Sequence, residues 1–414
     1  MANSFNVSSL VSKGIVAPLH AEGKLVNTCG TDYKEDFIQK NYVPGVTLTI
    51  DKGPQFSVTT GRIAQVQDVV HDSTTVTVVQ YNEAISVTSI EKSYKMNDEE
   101  DMMKLGRDMG RRMLREVERI GFQTISTSVG NSVGTPGAEP GSLRLFGRAA
   151  AFMDDMLAPD ADRYCAVSPL GQVELIDSLK NAPNPSDIIG NQYLTGSIKR
   201  AMNLNFYQTP SVYRATLGSA TNSTPLTNGT TANGASTLSI DGLSAATATI
   251  KKGTKFTLGV AGTSTAVYAV DPETKAVLPY LKQFTVTADA TGASSAIASL
   301  AISPPLYDST DTRQNVSQLP PNDCEITLSL GSVASGNTYA QNVIYQKDAV
   351  QLVALPLRAA MKKDTHTFTS YNGVPIRVGF GAWDARNDDE ILRVDAAFAW
   401  VVTRPEHCAI VHGA

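Results

Sequence analysis

The chain has 414 residues, 42% of them hydrophobic and 18% charged, with a formal net charge of -5. That composition excludes disorder of the whole chain, and the dispersed Lys and Arg exclude a surface built mainly to grip phosphates. At roughly 100–200 residues per domain the length predicts two or three domains, large enough to bury their cores without staples.

Residues 1–41 are mixed and polar, with small apolar clusters such as Ile15-Val16-Ala17. They predict an irregular N-terminal arm with one short helix around Lys34–Lys40, ordered by a partner surface. The opening MANSFNVSSLVSKG reads without a secretory signal, and no run approaches the ~20 apolar residues that span a bilayer. Cys29, Cys165, Cys324 and Cys408 stand far apart and form no CxxC pair, which predicts reduced thiols in a cytosol. The sequons at Asn6, Asn222, Asn228 and Asn315 read as chance matches in polar loops.

Residues 42–94 alternate apolar and polar in Val46-Thr47-Leu48-Thr49-Ile50, turn at Asp51-Lys52-Gly53, and continue through β-type runs at Phe56–Thr60, Thr74–Gln80 and Ala84–Ile90. They predict an extended β-hairpin whose edges invite a neighbouring chain. No helix lies in the segment to cover Val46, Leu48, Ile50, Val58, Val76 and Val78. Those six are therefore expected to need a surface from elsewhere, and form the candidate assembly interface.

Residues 95–162 hold the clearest helix. Asn97 can cap it, with Glu100 three positions on in a capping-box-like pattern. Acids crowd the first turn, and Arg111, Arg112, Arg115 and Arg119 crowd the later ones, which suits the helix dipole. Met102, Leu105, Met109, Met113, Val117 and Ile120 make one apolar face, while Gly106 and Gly110 lower the propensity. The arginine row has two readings, a solvated face or an inter-subunit salt-bridge rail. A Gly/Ser/Pro loop at 127–142 leads to a second helix, Leu145–Met156.

Residues 163–215 read as a buried strand at Tyr164–Val167, a helix at Gly171–Leu179, breaks at Pro183 and Pro185, and a further helix at Leu194–Met202. From 216 to 340 Ser, Thr, Ala and Gly dominate and helix signals vanish. Short runs at Thr247–Ile250, Lys255–Val260, Ala266–Val270, Gln283–Ala288 and Glu325–Leu330 predict a small all-β barrel or sandwich, with a mobile loop at 221–235. Residues 341–414 return to mixed character, with strands at Ala349–Leu355, Thr365–Ser370, Val374–Phe380, Leu392–Trp400 and Cys408–Val411. The all-β stretch thus interrupts an α+β domain.

Reaction chemistry is not signalled. There is no Walker loop, HExxH or Cys/His zinc spacing. Gly130-Asn131-Ser132-Val133-Gly134 matches GxSxG, but Pro136 and Pro140 follow where a nucleophile elbow needs a helix. His407, Cys408 and His412 read as strand residues, and Asp384, Asp388, Asp389 and Glu390 as a solvated acidic turn. No catalytic residue, cofactor site or metal site is assigned, and the chain is expected not to be an enzyme.

One family accounts for the pattern. The strand pair in Thr367-Phe368-Thr369-Ser370-Tyr371-Asn372-Gly373-Val374-Pro375-Ile376-Arg377-Val378, then Leu392–Trp400 and Thr403-Arg404-Pro405-Glu406, resembles the final strands of major capsid proteins of tailed double-stranded DNA bacteriophages. Leu194-Thr195-Gly196-Ser197 followed by Asn205–Ser211 resembles the segment entering their central sheet. The element order resembles the Hong Kong 97-like fold: N-arm, E-loop, spine helix with P-domain, then A-domain. The stretch 216–340, with Ile250-Lys251-Lys252-Gly253-Thr254-Lys255-Phe256, resembles the inserted domain of short-tailed phage coat proteins.

The resemblance implies a subunit that self-assembles, as pentamers and hexamers, into an icosahedral head shell around packaged DNA. It also implies a scaffolding protein, a portal protein and non-specific contact with DNA as partners, no membrane, and a virion location after assembly in the host cytoplasm. Loop 221–235 is uncharged, so the bridging charged loop that family members can carry there is not implied. The rival readings are another β-rich virion component (a tail or decoration protein) and an uncharacterised hydrolase.

Overall fold

The structure, a computed structural model, describes residues 11, 14–15, 22–31, 45, 47–52, 62, 66, 73–88, 99–179, 198–220, 224–329, 336–357, 366–371, 374–380 and 386–413. The chain divides into two compact units. The first holds Met1–Ile50, Thr74–Gly121 and Val350–Val401; the second holds Asp51–Ser73, Phe122–Ala349 and Val402–Ala414. Asn97, Val46, Val58 and the runs Phe56–Thr60 and Lys34–Lys40 fall outside the described residues.

The first unit is built on helix α1, Glu99–Ser128, whose last seven residues belong to the second unit. The methionine stripe faces inward as its spacing requires, with Met102, Met109, Met113 and Val117 all buried. The two glycines that weaken the helix have a local cause in one case. A Cβ on Gly106 would lie 2.5 Å from the Val11 carbonyl oxygen, and one on Gly14 would lie 2.6 Å from that of Met103. Arm and helix thus meet backbone to backbone, which only glycine permits.

The arm is held by its own chain at further points. Glu118, 3% exposed, accepts the backbone N–H groups of Lys24 (2.6 Å) and Leu25 (2.9 Å), capping the single helical turn Leu25–Thr28. Gly30 exchanges backbone hydrogen bonds with Val350 and Leu352, each 3.0 Å. The expectation that the arm orders only on a partner is therefore corrected for residues 22–31.

The sheet of this unit centres on the long strand Asp389–Val402. Its residues Asp389–Phe398 pair antiparallel with Val79–Thr88, and Leu392–Ala396 pair with Val374–Phe380, which pairs in turn with His366–Tyr371. Val350–Ala354 completes the sheet. From Val394 to Val402 every residue of the strand is buried, so both faces are covered and, Asp395 apart, the strand reads as an apolar run. Trp400 lies on the face whose indole N–H donates to the Val117 carbonyl at 2.9 Å.

The predicted long hairpin has a different construction. Thr47–Asp51 pairs with Ser73–Thr77, and the chain then leaves this pair to join the main sheet as Val79–Thr88. Leu48, Ile50, Val76 and Val78 pack in one cluster with Val353, Leu355, Leu357, Ala397, Ala399 and Val401. These four side chains were expected to need a neighbour. Strands more than 250 residues downstream cover them instead, which composition of the segment alone could not reveal.

In the second unit the mixed sheet runs, among the described residues, Ser132–Val133, Cys408–Val411, Asn342–Gln346, Arg163–Val167, Leu204–Gln208, Arg200–Ala201. Helix α2, Leu143–Asp155, is capped by the Ser142 hydroxyl, which accepts the Arg144 N–H at 3.2 Å. It lays Leu145, Phe146, Ala149 and Met153 on this sheet; helix α3, Pro169–Leu179, adds Leu175 to the same core. The predicted helix at Leu194–Met202 is corrected where it is described. Arg200–Ala201 is a strand that turns back on Leu204–Gln208 through Met202 and Asn203, both at positive φ.

The all-β stretch forms a sheet in the order Ile326–Ser329, Lys255–Leu258, Gln283–Val286, Ile297–Leu306, Ala235–Asp241, Leu226–Thr227. Its ends meet: Leu226 bridges Glu325, and the Ile326 N–H donates to the Pro225 carbonyl at 2.8 Å. The sheet therefore closes into a barrel around Leu238, Ile240, Phe256, Leu258, Phe284, Val286, Leu300 and Ile326. Part of the predicted mobile loop, Leu226–Thr227, is the closing strand. Arg214–Thr216 pairs antiparallel with Thr338–Ala340, so the chain enters and leaves the stretch at one place.

Candidate assembly surfaces and the seat of the barrel

The arginine row of α1 is exposed and turned to ion pairs within the chain. Arg111 meets Glu22 at 2.8 Å, Arg112 meets Glu83 at 2.8 Å, and Arg119 meets Glu116 at 2.6 Å. Arg115 is exposed. The Arg119 hydrogen bond holds the Glu116 carboxyl below its ordinary range. Pairs this exposed contribute about 0–1 kcal/mol each. Within the chain the row ties the arm and the Val79–Thr88 strand to the helix.

A second charged group lies deeper. Asp395 is 2% exposed and accepts from Arg377 (2.6 Å), Arg393 (2.8 Å) and Gln80 (3.2 Å). These residues come from three neighbouring strands, with Arg377 directly opposite Asp395. Burial alone would raise the Asp395 carboxyl, but the hydrogen bonds from Arg377, Arg393 and Gln80 outweigh it and hold it below the usual value. The sequence carried a signal for this group, a lone acid inside the apolar run Ile391–Val402, although its partners could not be read from spacing.

The residues once weighed for chemistry have structural places. Ser132 of the GxSxG match sits on the edge strand of the mixed sheet, and the Gln283 side chain takes both its N–H (2.6 Å) and its carbonyl (3.0 Å). His407 and His412 are buried, and burial, with Lys255 next in effect, lowers His412 to about 3. Burial pushes the Cys165 and Cys408 thiols up, which makes them poor nucleophiles. Among the described residues no group of three His, Cys, Asp or Glu side chains could hold a metal ion, and no helix is long and apolar enough to cross a membrane.

The barrel sits against the mixed sheet and the end of α1. Lys255, 3% exposed, donates to the carbonyl of Ser126 at 2.6 Å, to that of Val129, and to the Thr285 hydroxyl at 2.8 Å. Tyr280 packs edge-on against Phe152 of α2, with ring centroids 4.8 Å apart. Beside this seat lies a cleft of about 350 Å³ lined by Ser132, Arg148, Phe152, Lys255, Gln283 and Thr327. Sequence reasoning placed Lys255 and Gln283 on strands and missed these contacts. The contacts join positions more than 120 residues apart, for which no local pattern exists.

No curated protein matches the sequence. Among solved structures, the chain is similar to one described as Mycobacterium phage Che8, with 10% identity, a TM-score of 0.42, and coverage of 95% of this chain and 93% of that one. It is similar to the mature capsid of bacteriophage PhiM1, with 10% identity, a TM-score of 0.40, and coverage of 89% and 82%. It is similar also to a virus-like particle from Pyrococcus furiosus, with 8% identity, a TM-score of 0.41, and coverage of 99% and 100%. Likenesses this distant carry no argument about function. The family model described as P22 coat protein, gene protein 5, does, because it spans residues 67–410, from before the Val79–Thr88 strand to the last strand of the mixed sheet. The chain belongs to the P22 coat protein family: it is an α+β major capsid protein that assembles with copies of itself into the head shell of a phage.

Proposed function

We propose that this coat subunit is of the short-tailed phage type, with a Hong Kong 97-like host fold and an inserted β-barrel domain at 216–340. The observation that carries the reading is the antiparallel pairing of Arg214–Thr216 with Thr338–Ala340, which brings the two ends of the closed barrel together on the host. An insertion needs adjacent ends, since host strands on either side must keep their pairing. The proposed boundaries follow: arm 1–41, extended hairpin 42–94, helix and peripheral domain 95–162, axial domain 163–215, insertion 216–340, and completion of the host 341–414.

In this reading subunits form pentamers and hexamers in the host cytoplasm, with a scaffolding protein and a portal, and the shell takes up DNA through weak contacts. The net charge of -5 suits a wall that does not grip its cargo. The tip of the hairpin supplies subunit contacts; Val66 there is 96% exposed. Limited proteolysis of the free subunit tests the domain reading. A protected fragment close to 216–340 is expected, and cleavage throughout that range would count against it.

A further inference from the structure

We propose that Lys255 is a latch that makes the C-terminal end of helix α1 and the β-barrel one mechanical piece, so that a change in the direction of the helix end carries the barrel with it. This goes beyond the capsid reading and does not depend on the type of phage.

A helix ends with four carbonyls that lack partners inside it, and the end carries partial negative charge. Helices often meet that need with a basic residue in their own last turn. In α1 the last turn has none. The barrel supplies the cation instead. Lys255 reaches across 129 residues of sequence to the Ser126 carbonyl and also takes the Val129 carbonyl just past the helix. An ammonium has three N–H groups, and the Thr285 hydroxyl takes the third. With 3% exposure Lys255 has no way to exchange these acceptors for bulk water while the barrel is seated.

Three flanking contacts grip the same short stretch. Gln283 takes both backbone groups of Ser132. Ser303 donates to the Ser128 carbonyl at 3.4 Å. Gly130 lies so close to the barrel strand that a Cβ there would come within 2.6 Å of the Gln283 carbonyl oxygen. Residues 126–132 are thus held from the barrel side by backbone-directed hydrogen bonds. Such bonds fix direction as well as distance, which apolar packing alone does not. The helix end cannot unwind or swing without leaving the ammonium and its acceptors buried and unmade.

Hydrogen exchange measured by mass spectrometry on the full-length subunit tests the latch. Lys255→Met keeps the stem and removes the charge, and Thr285→Val removes one acceptor of similar shape. Exchange of amides in 122–133 should rise by about tenfold or more in Lys255→Met and by a smaller factor in Thr285→Val. Amides of Leu238–Ile240, in a barrel strand remote from the seat, should keep their protection in both. Should Lys255→Met fail to fold, Thr285→Val decides alone. Coupling has its own readout. Leu258→Ala loosens the barrel core, and should raise exchange in 122–133 only while Lys255 is present. Wild-type exchange at 122–133 in the latch variants overturns the proposal. So does a uniform rise across the barrel, which would make Lys255 merely part of its stability.

Discussion

Single residues decide the balance where charge or backbone is buried. Asp395 is the sharpest case, because one carboxylate binds three strands together through Arg377, Arg393 and Gln80. Asp395→Asn should cost about 3 kcal/mol, the low end for breaking a buried pair, since Arg393 still reaches solvent. The carboxyl is held below its ordinary value in the folded state. Its stabilisation is therefore complete above the unfolded value of about 3.9 and is lost as pH falls through the folded value. Acid unfolding followed by circular dichroism should show a steep loss below that point in the wild type and a flatter one in Asp395→Asn. Equal slopes would mean the carboxylate contributes nothing.

Gly106 makes the opposite lesson. Alanine there raises helix propensity by about 1 kcal/mol, yet its Cβ would strike the Val11 backbone. Backbone cannot step aside as a flexible side-chain end can. Gly106→Ala should therefore lower stability and speed proteolytic cleavage of the arm. A stabilised Gly106→Ala protein with a protected arm would show that the arm does not dock there.

At the scale of elements, local pattern reached as far as local cause extends. Helix α1 was legible because Met102, Met109, Met113 and Val117 repeat at helical spacing, and the burial of Met109 at 0% exposure places that face in the core. The strand Leu392–Trp400 was legible as a largely apolar run interrupted only by Arg393 and Asp395. Leu226–Thr227 was not, since two residues in an uncharged polar stretch carry no period; the barrel makes them a strand by pairing them with Asp241 and Ile240, and bridges Leu226 to Glu325 on the other side. The Leu194–Met202 helix failed at its end because Met202 and Asn203 adopt positive φ, which a helix excludes.

Where the hairpin segment is described, it is strand as its pattern predicts, and its cover was not legible, because Val353, Leu355 and Ala397 are remote in sequence. That correction sharpens a test. With Leu48, Ile50, Val76 and Val78 fixed in the core, replacing 51–72 by a short Gly-Ser turn should leave a folded subunit with near-normal circular dichroism. Shell closure should be lost or misdirected. Regular shells from the trimmed protein, or outright unfolding, would remove the tip from the assembly surface.

For the whole molecule, the physical features agree with a subunit whose work is assembly. Its ion pairs and buried polar groups tie arm to helix, strand to strand and barrel to host. Its titratable groups show burial shifts at structural places, such as His412 and Lys255. The family match over 67–410 assigns the task. The most direct measurement is negative-stain electron microscopy of the purified protein, paired with size-exclusion chromatography. Regular closed shells and a particle-sized peak are the expected result. A protein that stays monomeric at high concentration and yields no shells, sheets or capsomers would contradict its identity as the capsid subunit.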